Sequence, residues 1–490
     1  MPATLLATAA AAASLGTAIV TTDAAVLRAA PRDTAQQQAQ LWQGEVVEVR
    51  GERLDHLQVW DHRRERGGFV KAAHVRRLAG TADEAQDLLA VLRFVREAPG
   101  AESLGIGLAA AWLRAAPAEV VRGSAGTEVL DALGTMADRL AQRASSGAAL
   151  HRGAQAATAA HLEVAAHYGV RFASYEREGR MQVCYDGEAF RRVLAAAAPA
   201  AAQARAALAL TRPECVPSDL SPRQAHEWDG WRAQVLERVD SAGLPGYVHN
   251  RIAMRRSQVW GALAWQHARW GQAEASAAAA RRALGELASV RRAELLEADA
   301  AAWNDAVMQA NASRWAAVPA PEGDGVPAGP RPSVLAVPGE PGQTCVLLVD
   351  GRHGPERPLA RRCTHAHVWL QSASVNREGN AVALAVQPAA GWRELWLFRR
   401  ARGGAWAVEV LPPGAVTPGL GYAEFAGWVP GGQQVLVARE ARGEGRYRRQ
   451  YEVVSLDSLA VQRQAPEASA LGPFQRWADP QWKRLSPSVR

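Results

Sequence analysis

Cys363, His365 and His367 are the residues of this chain whose types and spacing come nearest to a metal site. On a single β-strand the period of two would put all three on one face, an arrangement strands use to present zinc ligands. A disulfide from Cys363 to Cys345 would instead remove the thiolate and leave two histidines. General acid–base chemistry calls for paired carboxylates. Helical spacing offers Asp229 with Glu237 and Glu294 with Glu297, positions that are ordinarily solvated on helices. Stacking on a ligand calls for aromatic rings, and Trp42, Trp60 and Phe69 are the candidates for lining a groove, with burial in a core as the competing use.

Other chemistries lack their residues. Lys71 and Lys483 are the only lysines and neither follows glycine, which removes a phosphate-cradling G-K-[ST] loop and a Ser-x-x-Lys acylase. No H-E-x-x-H and no G-x-S-x-G occurs. Gly105-Ile106-Gly107 begins a G-x-G-x-x-A pattern, but no strand leads into it, so it reads as a helix packed through small residues. No cofactor is implied.

A chain of 490 residues with 48% hydrophobic content can bury a core in each of roughly three domains, which excludes a wholly disordered protein. The longest apolar run, Ala3–Val20, is alanine-rich and too poor in Leu and Ile for a membrane span, so the protein reads as not integral to the membrane. The net charge of +7 is carried almost wholly by arginines spread among 49 acids. No basic and aromatic residues interleave as a stacking platform requires, and nucleic acid is not expected as a partner. The densest basic cluster, Arg439, Arg442, Arg446, Arg448 and Arg449, alternates with Glu440 and Glu444 and reads as a solvated hairpin tip.

The four cysteines fall into close pairs, Cys184 with Cys215 and Cys345 with Cys363, the even count and local spacing of an oxidising compartment. Four unrelated buried thiols are the alternative. At the N-terminus, Leu5, Leu6 and an alanine run lead to Ala11-x-Ala13 before Ser14, which resembles a signal-peptidase site, although no Lys or Arg precedes it. Residues 1–14 are therefore read as a leader, and the protein as periplasmic or secreted.

Positioning these residues requires three kinds of element. Short apolar runs at Ala18–Val20, Ala25–Arg28, Glu45–Val49, Leu57–Trp60 and Gly68–Lys71, with glycine turns between them, predict five strands curled into a small barrel. Val26-Leu27-Arg28-Ala29-Ala30-Pro31, Leu41 to Val49, Leu57-Gln58-Val59-Trp60 and Gly68-Phe69-Val70 together resemble the bacterial SH3 (SH3b) domain over residues 15–79. His56-Leu57 stands where that family has Gly-Trp, and Phe69 replaces the Trp of G-W-V. The resemblance implies attachment to peptidoglycan or a peptide through a groove lined by Trp42, Trp60 and Phe69.

Residues 81–318 carry apolar positions at helical spacing and predict an all-α middle, in which Trp260 to Leu284 resembles one tetratricopeptide-type hairpin at about 255–288, with Gly261, Ala273 and Ala280 at close approaches. Pro and Gly fill a linker over 319–332. Beyond it, 333–490 alternates in strands. Ser374 to Phe398 and Trp428 to Leu456 repeat at about fifty residues and resemble TolB-like β-propeller blades, about three in number, with Trp477 to Trp482 as a cap. The fold class is multidomain α+β: an SH3-like barrel, an all-α helical middle domain and an antiparallel β blade-like domain. The function expected is that of a non-catalytic exported cell-envelope protein binding peptidoglycan or protein partners, its oligomeric state undetermined. The alternative is an envelope hydrolase whose residues are dispersed across the domains.

Overall fold

The computed structural model describes residues 16–146, 152–177, 179–320, 329–414, 419–443 and 445–485. The leader read over 1–14, Glu444 and most of the Pro/Gly stretch lie outside the described residues. The architecture is multidomain α+β. Two compact units are present, one of residues 1–220 with 238–240 and the other of 221–237 with 241–490. The helical stretch 81–318 contributes to both.

The first unit opens with β1 (Thr17–Val20), β2 (Ala25–Arg28), β3 (Gln37–Leu41), β4 (Val46–Arg53), β5 (His56–Asp61), β6 (Arg66–Lys71) and β7 (Val75–Leu78), in one antiparallel sheet of order β3-β2-β6-β5-β4-β1-β7. Alternation decides its inner face. Ala18, Leu27, Leu41, Val49, Val59 and Val70 come from six different strands yet share one buried cluster, so the sheet bends around its own core. β3 and β7 join the five expected strands. β3, reading Gln-Gln-Ala-Gln-Leu, buries only its last residue and gives no apolar signal.

Helices α1 (Glu84–Arg96), α2 (Glu102–Ala115), α3 (Ala118–Arg122), α4 (Ser124–Ser145), α5 (Arg152–His167), α6 (Glu188–Ala195) and α7 (Ala200–Leu210) follow. The all-α expectation needs one correction. A hairpin of β8 (Phe172–Arg177) and β9 (Arg180–Tyr185) stands between α5 and α6, with Phe172, Tyr175, Val183 and Tyr185 as its strand-favouring residues around a left-handed Gly179. α2 packs on the sheet where its glycines leave room. A Cβ on Gly107 would come within 2.7 Å of the Ile19 side chain, and a Cβ on Gly44, in the loop before β4, within 2.4 Å of the Ser103 carbonyl.

The second unit contains α8 (Pro222–Glu237), α9 (Gly246–Arg269), α10 (Ala273–Ala288) and α11 (Ala300–Ala312), then β10 (Ser333–Pro338), β11 (Thr344–Val349) and β12 (Ala360–Thr364) as a three-stranded sheet. Two four-stranded antiparallel meanders come next: β13 (His367–Val375), β14 (Ala381–Ala389), β15 (Trp392–Arg400) and β16 (Trp406–Leu411), then β17 (Leu420–Val429), β18 (Gln434–Gly443), β19 (Arg446–Ser455) and β20 (Val461–Ala465). Short parallel pairing of Trp392 with Gly421 and of Arg393 with Tyr422 joins them into one eight-stranded sheet. Their first turns also meet, Gly431 N donating to Glu378 Oε1 (2.9 Å) and Trp428 Nε1 to Ser374 Oγ (3.1 Å).

A buried polar centre ties this unit's helices to its strands. Glu424 of β17 receives Arg393 of β15 and Arg314 just after α11, each at 2.9 Å, and Trp482 Nε1 at 2.7 Å, while Arg393 also donates to the Asn311 carbonyl. Both guanidiniums and the carboxylate are almost wholly removed from water, so two cations share one anion. Burial, with the neighbouring charge of Arg314, pulls Arg393 down to about 10. The terminal helices α12 (Gly472–Trp477) and α13 (Pro480–Leu485) cap β17 through Phe474 and Trp482, whereas Trp477 is exposed.

Candidate functional site

The register of β5 and β6 settles which aromatic side chains share a face. Trp60 pairs with Gly67 and Gln58 with Phe69, so Trp60 and Phe69 stand diagonally on the outer face of the sheet, both half-buried. β4 pairs Glu48 with Trp60 and Val49 with Val59, then breaks register so that Gly51 faces Gln58, leaving Arg50 as an extra residue. Such a bulge re-aims its side chain. The Arg50 guanidinium lies 4.5 Å from the centre of the Trp60 ring, held by Glu48 at 3.3 Å, and Gly67 supports the indole from the neighbouring strand. His62 bonds the same carboxylate at 2.7 Å. The hydrogen bond from Arg50, and then that from His62, hold Glu48 below the usual carboxylate range.

Farther along β5, His56 is buried with Nδ1 on Asp55 (2.7 Å) and with no hydrogen-bond partner at Nε2. Lys71, paired with His56 in the register, binds Asp33 at 2.8 Å. The face thus offers a guanidinium layered on an indole and a second aromatic ring, while the unpartnered His56 nitrogen is buried beneath it. Such a surface binds acceptor-rich ligands by stacking and charge-assisted hydrogen bonds. Arg50 and His56 escape a motif search. The period-two alternation of β4 and β5 around Trp60 is the one signal that could have found Arg50.

Trp42 belongs elsewhere. It follows β3, and its ring meets His161 of α5 edge-on at 6.2 Å, whereas Trp60 and Phe69 share the β5–β6 face. His161 is buried in a relay. Its Nδ1 accepts from Arg143 (2.6 Å), because a guanidinium can only donate, and its Nε2–H therefore donates to Asp23 (2.7 Å). Arg143 and Arg139 both bind the buried Glu102. Burial works to raise Asp23, but the hydrogen bond from His161, the Gln43 amide and the charge of Arg143 outweigh it and hold the carboxyl below its ordinary range. With both ring nitrogens occupied, His161 has no lone pair left to activate a nucleophile.

Compared with family models, curated proteins and solved structures, the chain matches none of them.

The strand carrying the metal-like constellation ends at Thr364 and a new one begins at His367, so the three residues do not share one strand face. Cys363 faces Cys345 across β11 and β12 with the sulfurs at bonding distance, His365 is exposed beside the Gly342 carbonyl, and His367 turns against Trp369. Among the described residues no three His, Cys, Asp or Glu side chains converge on a metal position. The other cysteine pair, Cys184 with Cys215, also lies at bonding distance. Asp229 is held by Arg232 and Gln266, Glu237 by Arg282, and Glu294 lies 3.7 Å from Arg291, so three of the four paired carboxylates already serve arginines. Three arginines of the basic hairpin are likewise committed, Arg439 to Glu452, Arg442 to Asp305 and Arg449 to Glu440. No helix among the described residues is long and apolar enough to cross a membrane.

Proposed function

We propose that this chain is a non-catalytic, exported bacterial cell-envelope protein that binds peptidoglycan or an envelope protein partner through the outer face of its N-terminal sheet. The observation that carries this reading is the layered Gly67–Trp60–Arg50 stack with Phe69 beside it. The bonded cysteine pairs support an oxidising, periplasmic or secreted setting. The resemblance of residues 15–79 to SH3b modules supports wall glycan or a peptide as the ligand, because acetamido and carboxylate oxygens are the acceptors a stacked guanidinium suits.

Co-sedimentation of the full chain with isolated peptidoglycan tests it, alongside capture from envelope extract. Deleting the sheet would strip the covering of α2, so point variants are the better probes. Trp60→Ala and Phe69→Ala should each weaken retention about tenfold, the ordinary loss for an aromatic anchor. Trp42→Ala should leave retention unchanged while lowering thermal stability. Equal retention of all three variants and the parent would reject the face as the binding surface.

A further inference from the structure

A cavity of about 410 Å³ lies inside the second unit, between the junction of α9 and α10, the segment after α11, and β13. It exists because alanines line the helical walls, Ala268, Ala273 and Ala277 among them, where larger side chains would fill the space. The volume is that of a small-molecule site.

Its polar groups are few, and most are already used. Ser276 Oγ donates to the Ala264 carbonyl (2.7 Å), Gln371 Nε2 to the Trp315 carbonyl (2.7 Å) and Trp369 Nε1 to Gln387 (2.9 Å). Two groups remain. Arg281 lines the cavity from α10, exposed and without an ion pair among the described residues. His367 packs edge-on against Trp369 at 4.1 Å, with neither ring nitrogen hydrogen-bonded among the described residues. Burial, with the nearby charge of Arg269, pulls His367 down to about 4, so at neutral pH its ring offers one N–H and one lone pair. Among the described residues no carboxylate lines the cavity. An occupant therefore meets the guanidinium of Arg281, a neutral donor–acceptor pair at His367, and otherwise a largely apolar wall.

We propose that this cavity binds an N-acylated amino acid, its carboxylate on Arg281, its amide on the His367 imidazole and its apolar side chain against Trp369 and the alanines. The site is independent of the N-terminal face.

Titration calorimetry on the full chain, with N-acetyl-L-leucine, its neutral carboxamide and 4-methylpentanoate as probes, tests the assignment. N-acetyl-L-leucine should bind, and the carboxamide and 4-methylpentanoate should each bind about tenfold more weakly, since each lacks one recognised group. Arg281→Gln, an exposed substitution that leaves the core untouched, should remove the preference for acid over carboxamide. Ala277→Phe should fill the space and abolish binding of all three, and should this variant fail to fold, Arg281→Gln alone still decides. No heat with any probe, equal affinity for acid and carboxamide, or an unchanged preference in Arg281→Gln would overturn the assignment.

Discussion

At the residue scale, His367 shows how burial changes what a side chain can do. A histidine on an alternating stretch beside another histidine invites a metal reading, but the break in the strand after Thr364 turns this ring inward against Trp369. The folded protein keeps it neutral down to about pH 4, whereas the unfolded chain protonates it near its ordinary value of 6.5. Between those values the unfolded state binds the extra proton, so this residue's contribution to stability is complete above pH 6.5 and is lost as the pH falls toward 4. The shift corresponds to on the order of 3 kcal/mol. Urea midpoints from pH 7.5 to 4 should fall more steeply for the parent than for His367→Gln. A constant difference between the two would mean that the ring is not buried in its neutral form.

At the element scale, strands with branched residues on one face are legible, as Leu57 and Val59 make β5, because alternation and β-propensity agree there. β3 could not, since its pairing is supplied by β2 and not by its own side chains. The hairpin of α9 and α10 was visible in its small residues, but their partners were not. Gly261 abuts Gln309 of α11, and Ala273 is exposed, with Ser276, Ala279, Ala280 and Ala283 forming the buried stripe of α10. Gly44 shows the same limit. It looks like an ordinary turn glycine, yet its φ of +87° combines with the Ser103 carbonyl against it and Tyr168 Oη donating to its own carbonyl at 2.6 Å. Gly44→Ala should therefore cost about 2–4 kcal/mol, from left-handed strain and from displacing the sheet from α2. Chemical denaturation measures it directly, and a loss under about 0.5 kcal/mol, the size of an ordinary surface change, would show that the contact yields easily.

At the scale of the whole molecule, composition marks residues 319–332 as a linker, but the groups that tie α11 to the strands, Asn311, Arg314, Arg393 and Glu424, lie far apart in sequence and no local pattern announces them. The cysteines are the long-range feature that was legible, because each pair is close in sequence and falls within one unit. Their loops separate the partners by 31 and 18 residues, for which loop entropy gives each bond about 3–4 kcal/mol. Each should therefore protect its own neighbourhood. Hydrogen exchange should quicken in β8 and β9 when Cys184 and Cys215 are changed to serine, and in β11 and β12 when Cys345 and Cys363 are. Non-reducing peptide mapping of protein taken from its native compartment carries the same argument to the cell. An exported chain should yield the 184–215 and 345–363 linked peptides and no free thiol. Four free thiols would place the protein in a reducing environment and remove the support that its cysteines lend to an envelope role.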